Sequence, residues 1–422
     1  MRQEEESMSV CKFIQRLLKI KAFSVKAFTF HDWFKELWLE VKPYKNGALC
    51  PHCMRRGKIL HTLVNSRVWR DIPVCGRLVF FVYCPREIIC RTHGRVQEYI
   101  PWAAPHARVT HRFEYSLLIY SSIMTQKAAA QLLKISPSTL SDLLHRVITR
   151  TRRGHKIRGL KMIGIDEISY CKGHKYATIV YDLERSCVVW VGKGKARETI
   201  DSFFRNKLSR YQRKRIVSGC CDMSETFIGA IEKWCPNATL VLDRFHIVKA
   251  LNEAVDEIRK EEWRKADKTN RKALKGLRWL LYRHSSKRTA EDTKTLKSLY
   301  MGGNRRIHRA WVLKDEFEQF WDFKDQDSAR DFLDGWCKTA KKSRLESVKT
   351  FVNTIRKHEH HLLPFVENRL TNAISEGINR IIKIVKNRAS GFRNLHAFSD
   401  LIYLTVGDLD IPAQIPARFH AL

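Results

Sequence analysis

Five short stretches decide the architecture: MIGID (162–166), YATIVYDL (176–183), CVVWVGKG (187–194), IVSGCCDMS (216–224) and ATLVLDRFH (238–246). Each is a run of apolar, largely β-branched residues closed by turn formers, the pattern of a buried strand. Between them, helical periodicity is expected near Ala196 to Leu208 and Thr226 to Trp234. Strands alternating with helices indicate an α/β sheet. Downstream, residues 247–360 lose strand character and read as long, charged, Trp-containing helices. Strong helical patterning resumes through Arg369 to Arg388 and stops near Gly391.

Working outward in the other direction, RTRRGHKIRG (150–159) is a basic connector and residues 111–150 are helical in pattern. PWAAPHARVT (101–110) carries turn breakers and is read as a linker. Short β-like runs such as LVFFVY fill Cys50 to Tyr99, and residues 1–45 read as an amphipathic helical segment. The expected organisation is therefore a helical segment (1–45), a metal-binding module (46–100) and a helical domain with its basic linker (101–158). The first part of an α/β core (159–246), a helical insertion (247–360) and a C-terminal helical part of that core (361–422) follow.

The chain has 422 residues, 44% apolar and 10% aromatic, which excludes a disordered polymer. Lys and Arg number 78 against 44 Asp and Glu, a formal charge of +34. Self-repulsion on that scale does not stabilise a fold, so the charge points to a polyanionic partner, with nucleic acid ahead of an anionic membrane surface. Residues 101–160 hold ten Lys/Arg and two Asp/Glu. The apolar run Leu78 to Cys84 is about a third of a spanning helix. The start, MRQEEESMSV, lacks the apolar segment of an export signal. The expected location is cytoplasmic and nucleoid-associated, with no membrane partner. The twelve cysteines then read as core thiols or metal ligands.

Three groups of residues carry chemistry. CPHC (50–53) and CRTH (90–93) are two ligand pairs, each with two intervening residues, a spacing that suits tetrahedral Zn2+, although ordinary buried thiols and a surface His fit it as well. They nominate Cys50, Cys53, Cys90 and His93, with Cys75, Cys84 and His52 as competitors. TQKAAAQLLKISPSTLSDLLHRV (125–147) fits a helix-turn-helix. Ser136 caps the second helix, Pro137 opens it, and Leu140, Leu143, Leu144 and Val147 form its apolar stripe. Ser138, Thr139 and Ser141 would face a DNA groove beside Asp142. Arg150, Arg152, Arg153, Lys156 and Arg158 would meet phosphates.

The third group is acidic. Asp166 and Asp222 end strands, where side chains project into a cleft. Glu376 lies on a helix with Ile374, Ile378, Ile381 and Val385 on the buried side and Arg380, Lys383 and Asn387 beside it. Carboxylates grouped with cations suit a site that holds Mg2+ or Mn2+ together with phosphate. A single strand-end Asp is more often a turn or cap residue, and Glu376 with Arg380 also fits an ordinary i,i+4 surface pair. Asp243 and His246, after the last strand, either support the acids or cap the next helix. Asp182 sits in a hairpin turn and is discounted.

The order of these parts, with GIDE (164–167), KGHKY (172–176), CCDMS (220–224), LDRFHIVK (242–249) and AISEGIN (373–379), resembles the ISL-three family of bacterial insertion-sequence transposases. The resemblance runs from about Cys50 to about Leu404. It implies an RNase H-like catalytic domain of DDE type interrupted by an all-helical insertion and preceded by a zinc ribbon and a helix-turn-helix. It also implies Asp166, Asp222 and Glu376 as the catalytic, Mg2+-binding acids, with Asp243 and His246 supporting them. The 154 positions between Asp222 and Glu376 accommodate the insertion. His93 stands where the family pattern has a Cys. The implied activity is cleavage and strand transfer at the element's terminal inverted repeats, on double-stranded DNA, by a homodimer or larger assembly. A DNA-binding regulator without catalysis and a nuclease that cuts but does not join are the alternatives.

Overall fold

The computed structural model describes residues 9–18, 20, 22–44, 47–153, 157–171, 173, 175–368, 373–389, 391, 392 and 394–409. Lys156, expected to meet phosphate, lies outside them. A short helix α1 (Val10–Leu17) precedes eight strands: β1 (Phe23–His31), β2 (Glu36–Pro43), β3 (Ala48–Leu49), β4 (Arg56–Thr62), β5 (Arg67–Val74), β6 (Arg77–Tyr83), β7 (Arg86–Cys90) and β8 (Gly94–Gln97). They form two four-stranded sheets, β1-β2-β6-β5 and β3-β4-β7-β8.

Two expectations are corrected here. Within residues 1–45 helix is confined, among the described residues, to Val10–Leu17, and β1 and β2 take Phe23–His31 and Glu36–Pro43. Residues 46–100 are not one module, because β6 pairs in parallel with β2 across that boundary, Leu39 opposite Phe81. The cause is tertiary. Phe23, Val25, Leu39 and Val41 recur at period two and are buried against Trp69, Val79 and Phe81. That apolar face outweighs the helical spacing of WFKELWLE. The segment 101–110 is likewise packed rather than a free linker: Ala103, Ala104 and Val109 are buried, and Trp102 stands edge-on to Phe23 at 4.3 Å.

Three helices follow, α2 (His111–Ile123), α3 (Gln126–Leu132) and α4 (Pro137–Arg153). Asp71 and Arg70 of β5 tie them to the first sheet. Asp71 accepts from Thr110 and from Arg112, and Arg70 donates to the carbonyls of Leu133 and Lys134 at 2.9 and 2.7 Å.

The central sheet contains the five quoted stretches, as β9 (Met162–Cys171), β10 (Lys175–Asp182), β11 (Cys187–Lys193), β12 (Ser218–Cys221) and β13 (Thr239–Leu242). Its order is β11-β10-β9-β12-β13. The three sequential strands are antiparallel, and β12 and β13 lie parallel to β9. Between β11 and β12 come α5 (Arg197–Lys207) and α6 (Arg210–Lys214), and α7 (Glu225–Trp234) precedes β13.

The inserted helices are α8 (Arg244–Lys265), α9 (Lys268–Tyr282), α10 (Ala290–Met301), α11 (Arg305–Phe317), α12 (Gln326–Lys342) and α13 (Glu346–Lys357). The chain returns through α14 (Glu359–Leu362), α15 (Pro364–Asn368), α16 (Ala373–Arg388) and α17 (Leu395–Val406).

Two layers of helices bury the sheet. Ile163, Ile165 and Val180 face a core continuous with α5, α7 and the insertion. Ile168, Tyr170, Ile179 and Tyr181, at alternate positions, face α4, α16 and α17. On α16 the buried positions are Ser375, Ile378, Ile382 and Val385. The expected stripe is corrected at two places. Ile374 is exposed, and Ile382 replaces the half-buried Ile381, because the helix face rotates to admit Asn379 toward the sheet.

Candidate functional site

The register of the central sheet aligns three acids. Cys221 of β12 lies opposite Ile165 of β9 and Leu242 of β13, so the next residues, Asp166, Asp222 and Asp243, occupy equivalent places on three adjacent strands. Asp222 and Asp243 follow the last residues of their strands and Asp166 lies within the longer β9.

Their partners differ. Asp166 is half-buried. Its Oδ1 accepts from the Glu167 backbone N–H at 2.7 Å and its Oδ2 from Asn379 Nδ2 at 2.6 Å. Asp222 accepts from the Ser224 N–H at 3.1 Å. Asp243 is buried, caps α8 through the Phe245 N–H at 3.0 Å, and lies 3.6 Å from His246 Nε2. The capping expectation for Asp243 is thus met at Phe245. Asp182 forms a turn, accepting from the Glu184 and Arg185 N–H groups.

α16 carries Glu376 to the same region from 213 positions along the chain, measured between Asn379 and Asp166. The Tyr181 hydroxyl donates to Asn379 Oδ1, the Asn379 amide donates to Asp166, and Lys386 Nζ donates to the Ser169 carbonyl. Glu376 is one turn before Asn379 and exposed, as are Arg380 and Lys383.

Burial pushes the Asp166 carboxyl above its usual range, and the charge on Asp222 adds to it against the opposing pull of His246. Glu376 is raised by partial burial and then by Asp243, with His246 and Lys383 opposing. These groups therefore share one electrostatic environment. Among the described residues the three expected acids do not converge as a set within 4.8 Å. Asn379 and Tyr181 were not found from sequence. Asn379 stood in the quoted AISEGIN motif, and an uncharged amide inside a basic helix was the available signal.

The two knuckles meet as expected. Cys50, Cys53, Cys90 and His93 place their ligating atoms within 4.8 Å of one another. Cys53 Sγ lies 3.6 Å from Cys90 Sγ, and His93 Nδ1 lies 3.7 and 3.8 Å from Cys50 and Cys90. Tetrahedral zinc–thiolate bonds of about 2.3 Å separate two sulfurs by about 3.8 Å. Backbone N–H groups of Thr92 and the ring and N–H of His93 pull Cys90 down to about 6, toward the thiolate a metal needs. Each knuckle closes on a left-handed residue, Met54 at φ 58° and Gly94 at φ 66°. His52, Cys75 and Cys84 stand outside the set.

Thr125 caps α3 through Ala128, Ser136 caps the start of α4 through the Thr139 N–H at 3.0 Å, and Lys134 turns the chain at φ 54°. Ala129, Ala130, Leu133, Leu140, Leu144 and Val147 are buried, which leaves Ser138, Thr139 and Asp142 exposed and Ser141 half-buried. The basic positions divide. Arg150 makes a bidentate pair with the buried Glu114 at 3.0 and 2.6 Å, and Arg152 lies over the Tyr403 ring at 3.4 Å. Both side chains thus have partners within the fold, Arg150 while remaining exposed, and Arg153 and Arg158 are exposed as well. A cleft beside α4 is lined by Arg108, Arg146, Arg150 and Arg153 with His106 and His145. Arg108 and Arg146 were not among the expected phosphate-binding residues.

A capped helix-turn-helix beside a basic cleft, fused to an α/β domain with acids grouped at its strand ends, defines a class of nucleic-acid-directed proteins. Comparison narrows it. A family model described as Transposase matches residues 163–402, and one described as Helix-turn-helix domain of transposase family ISL3 matches residues 98–148. The chain belongs to the ISL3 family of transposases. The transposase for insertion sequence element IS1001 of Bordetella parapertussis is 29% identical over 370 residues, 86% of this chain and 90% of that one. The transposase for insertion sequence element IS1557 of Mycobacterium tuberculosis is 25% identical over 381 residues, 85% of each chain. Among solved structures, the Drosophila P element transposase strand transfer complex is similar at a TM-score of 0.35 and 9% identity, over 71% of this chain and 92% of that chain. No described helix is long and apolar enough to cross a membrane.

Proposed function

We propose that this transposase binds the terminal inverted repeats of its own insertion sequence and catalyses Mg2+-dependent strand cleavage and strand transfer. The observation that carries the reading is the junction of α16 with β9. Tyr181, Asn379 and Asp166 form one hydrogen-bonded chain that brings Glu376 to the strand ends bearing Asp222 and Asp243. The β11-β10-β9-β12-β13 order, interrupted by α8–α13 before the final acid, supports an RNase H-like domain split by an insertion.

The donor chemistry fits a hard divalent cation. Carboxylate oxygens from Asp166, Asp222 and Glu376 are the ligands such ions take, and Asp166, whose carboxyl is raised by burial and by the charge of Asp222, has no Lys or Arg paired to it among the described residues. Mg2+ held by these three would stabilise charge on the attacking and leaving oxygens of a phosphodiester. The chain's own groups do the rest. Asn379 fixes the orientation of the Asp166 carboxylate, whose second lone pairs stay available for a ligand. Asp243 holds His246 beside the acids. Arg380 and Lys383, one and two turns beyond Glu376, offset the phosphate charge. Nucleophilic catalysis by a Tyr or Ser side chain is not needed, because water and then a DNA 3′-OH are the attacking groups.

Sequence reading is assigned to Ser138, Thr139 and Ser141 at the open end of α4, and backbone affinity to Arg153 and Arg158 together with Arg108 and Arg146. Cys50, Cys53, Cys90 and His93 would hold Zn2+ in a ribbon that orders the β3-β4-β7-β8 sheet. Cutting two element ends together requires a dimer or larger assembly on DNA. A cytoplasmic, nucleoid-bound protein follows from that substrate.

Purified protein, labelled element ends, Mg2+ and target plasmid form the deciding test. Joined products are expected. Cleaved, unjoined ends would instead favour a nuclease, and binding alone a regulator. Glu376→Gln is expected to abolish both steps, and joining at the normal rate by that variant would remove Glu376 from the site.

A further inference from the structure

We propose that Glu232, His360 and His361 form a second metal site, which takes a divalent transition ion such as Zn2+ and clamps the end of the helical insertion to the central domain. One ligating atom from each residue lies within 4.8 Å of the other two. The contributions come from α7, which packs under the central sheet, and α14, where the chain returns from the insertion.

The distances favour coordination over a hydrogen bond. His361 Nε2 stands 3.4 Å from Glu232 Oε1, beyond the about 2.7–3.2 Å of an N–H···O bond. Zinc bonds of about 2.0–2.1 Å to nitrogen and oxygen place two tetrahedral ligands about 3.4 Å apart. The His360 and His361 rings lie 3.8 Å apart at 44°, close enough to serve one ion together with Glu232. Glu232 has no Lys or Arg ion-pair partner among the described residues, whereas its neighbour on the same helix, Glu225, takes Lys357 and His358. Two imidazoles and a carboxylate are a common protein set for Zn2+, with solvent in the fourth position on the exposed side of Glu232 and His360.

The position gives the site a use. α14 packs on β13, whose end carries Asp243, and leads through α15 to the helix bearing Glu376. A metal bridging α7 and α14 fixes the place where the returning chain meets the sheet.

The test measures zinc on the full-length chain. Two zinc ions per chain are expected in the wild type, and one in His360→Ala or Glu232→Gln. Both changes fall on exposed side chains, so folding should survive them. Cobalt in a Cys50→Ser/Cys53→Ser/Cys90→Ser background, which leaves no thiolate at the first cluster, isolates the second site. A saturable spectrum without a thiolate charge-transfer band is expected, its affinity falling at least about tenfold on His360→Ala. Retention of that spectrum at unchanged affinity in both His360→Ala and Glu232→Gln would overturn the proposal, as would its absence in the parent. A wild type that binds one zinc, lost on His360→Ala, would retain this site and remove the cysteine one.

Discussion

At the residue scale, the acids are held in a state that suits ligand binding more than folding. Asp166 and Glu376 both have raised carboxyls, mainly from burial. A raised folded-state value means the native state binds the proton more tightly than the unfolded chain. The associated stability is complete below the unfolded value and is lost as pH rises through the folded one. Metal-free protein is therefore expected to lose Tm as pH climbs from the acidic range toward neutrality. Asp166→Asn should blunt that slope and raise Tm near pH 7 while abolishing cleavage. A scanning fluorimetry series without and with Mg2+ checks both parts, and a lower Tm in the variant at neutral pH would contradict the reading. Asn379→Ala removes the link between α16 and Asp166. It is expected to cost about 1–3 kcal/mol and to reduce cleavage at least tenfold with DNA affinity retained, as read by band shift and product yield. Gly377 tests the exposed side of the same helix. It lies inside α16 with open space where a Cβ would point. Gly377→Ala should thus stabilise the free protein by about 0.5–1 kcal/mol. A concurrent fall in strand transfer would mean that DNA backbone approaches there.

At the element scale, the two Cys/His knuckles sit where a larger core would otherwise be needed. Beneath the β3-β4-β7-β8 sheet the fully buried apolar cluster is Ala48, Cys50, Ile88 and Cys90. So small a cluster contributes little hydrophobic stabilisation, and metal–ligand bonds would supply the remainder. Chelation, or Cys90→Ser, is expected to make residues 47–62 and 86–97 sensitive to protease while α8–α13 resist, which mass mapping of the fragments would detect. The basic residues of α4 separate in the same way. Arg150→Ala leaves the buried Glu114 without its fork, an expected loss of about 1–3 kcal/mol with the salt slope of DNA binding little changed. Arg153→Ala should leave Tm alone and flatten the dependence of log K on log salt by about 0.9 for each phosphate it no longer neutralises. Fluorescence anisotropy at several salt concentrations separates the two outcomes.

At the scale of the whole molecule, the charge of +34 and the division into sheets have different origins. The basic surplus, the five strands and both knuckles were legible because each depends on composition or on residues close in sequence. Period-two apolar runs specify strands, and two-residue spacing specifies a metal knuckle. The two N-terminal strands were missed because β1 and β2 acquire their buried face only against β5 and β6. The stripe on α16 was misplaced because the turn of that helix is set by Asn379 reaching a strand that lies 213 positions earlier. The chain alone thus determined which elements form in the central domain, which side chains are candidates for its chemistry, and a basic balance that suits DNA. Tertiary structure decided which acids stand in register, that Arg150 and Arg152 serve the fold, and that Glu232 meets His360 and His361. Local spacing constrains neighbours within a few residues, whereas these pairings depend on strand register and helix docking between segments 36 positions apart for Arg150 with Glu114 and 213 for Asn379 with Asp166.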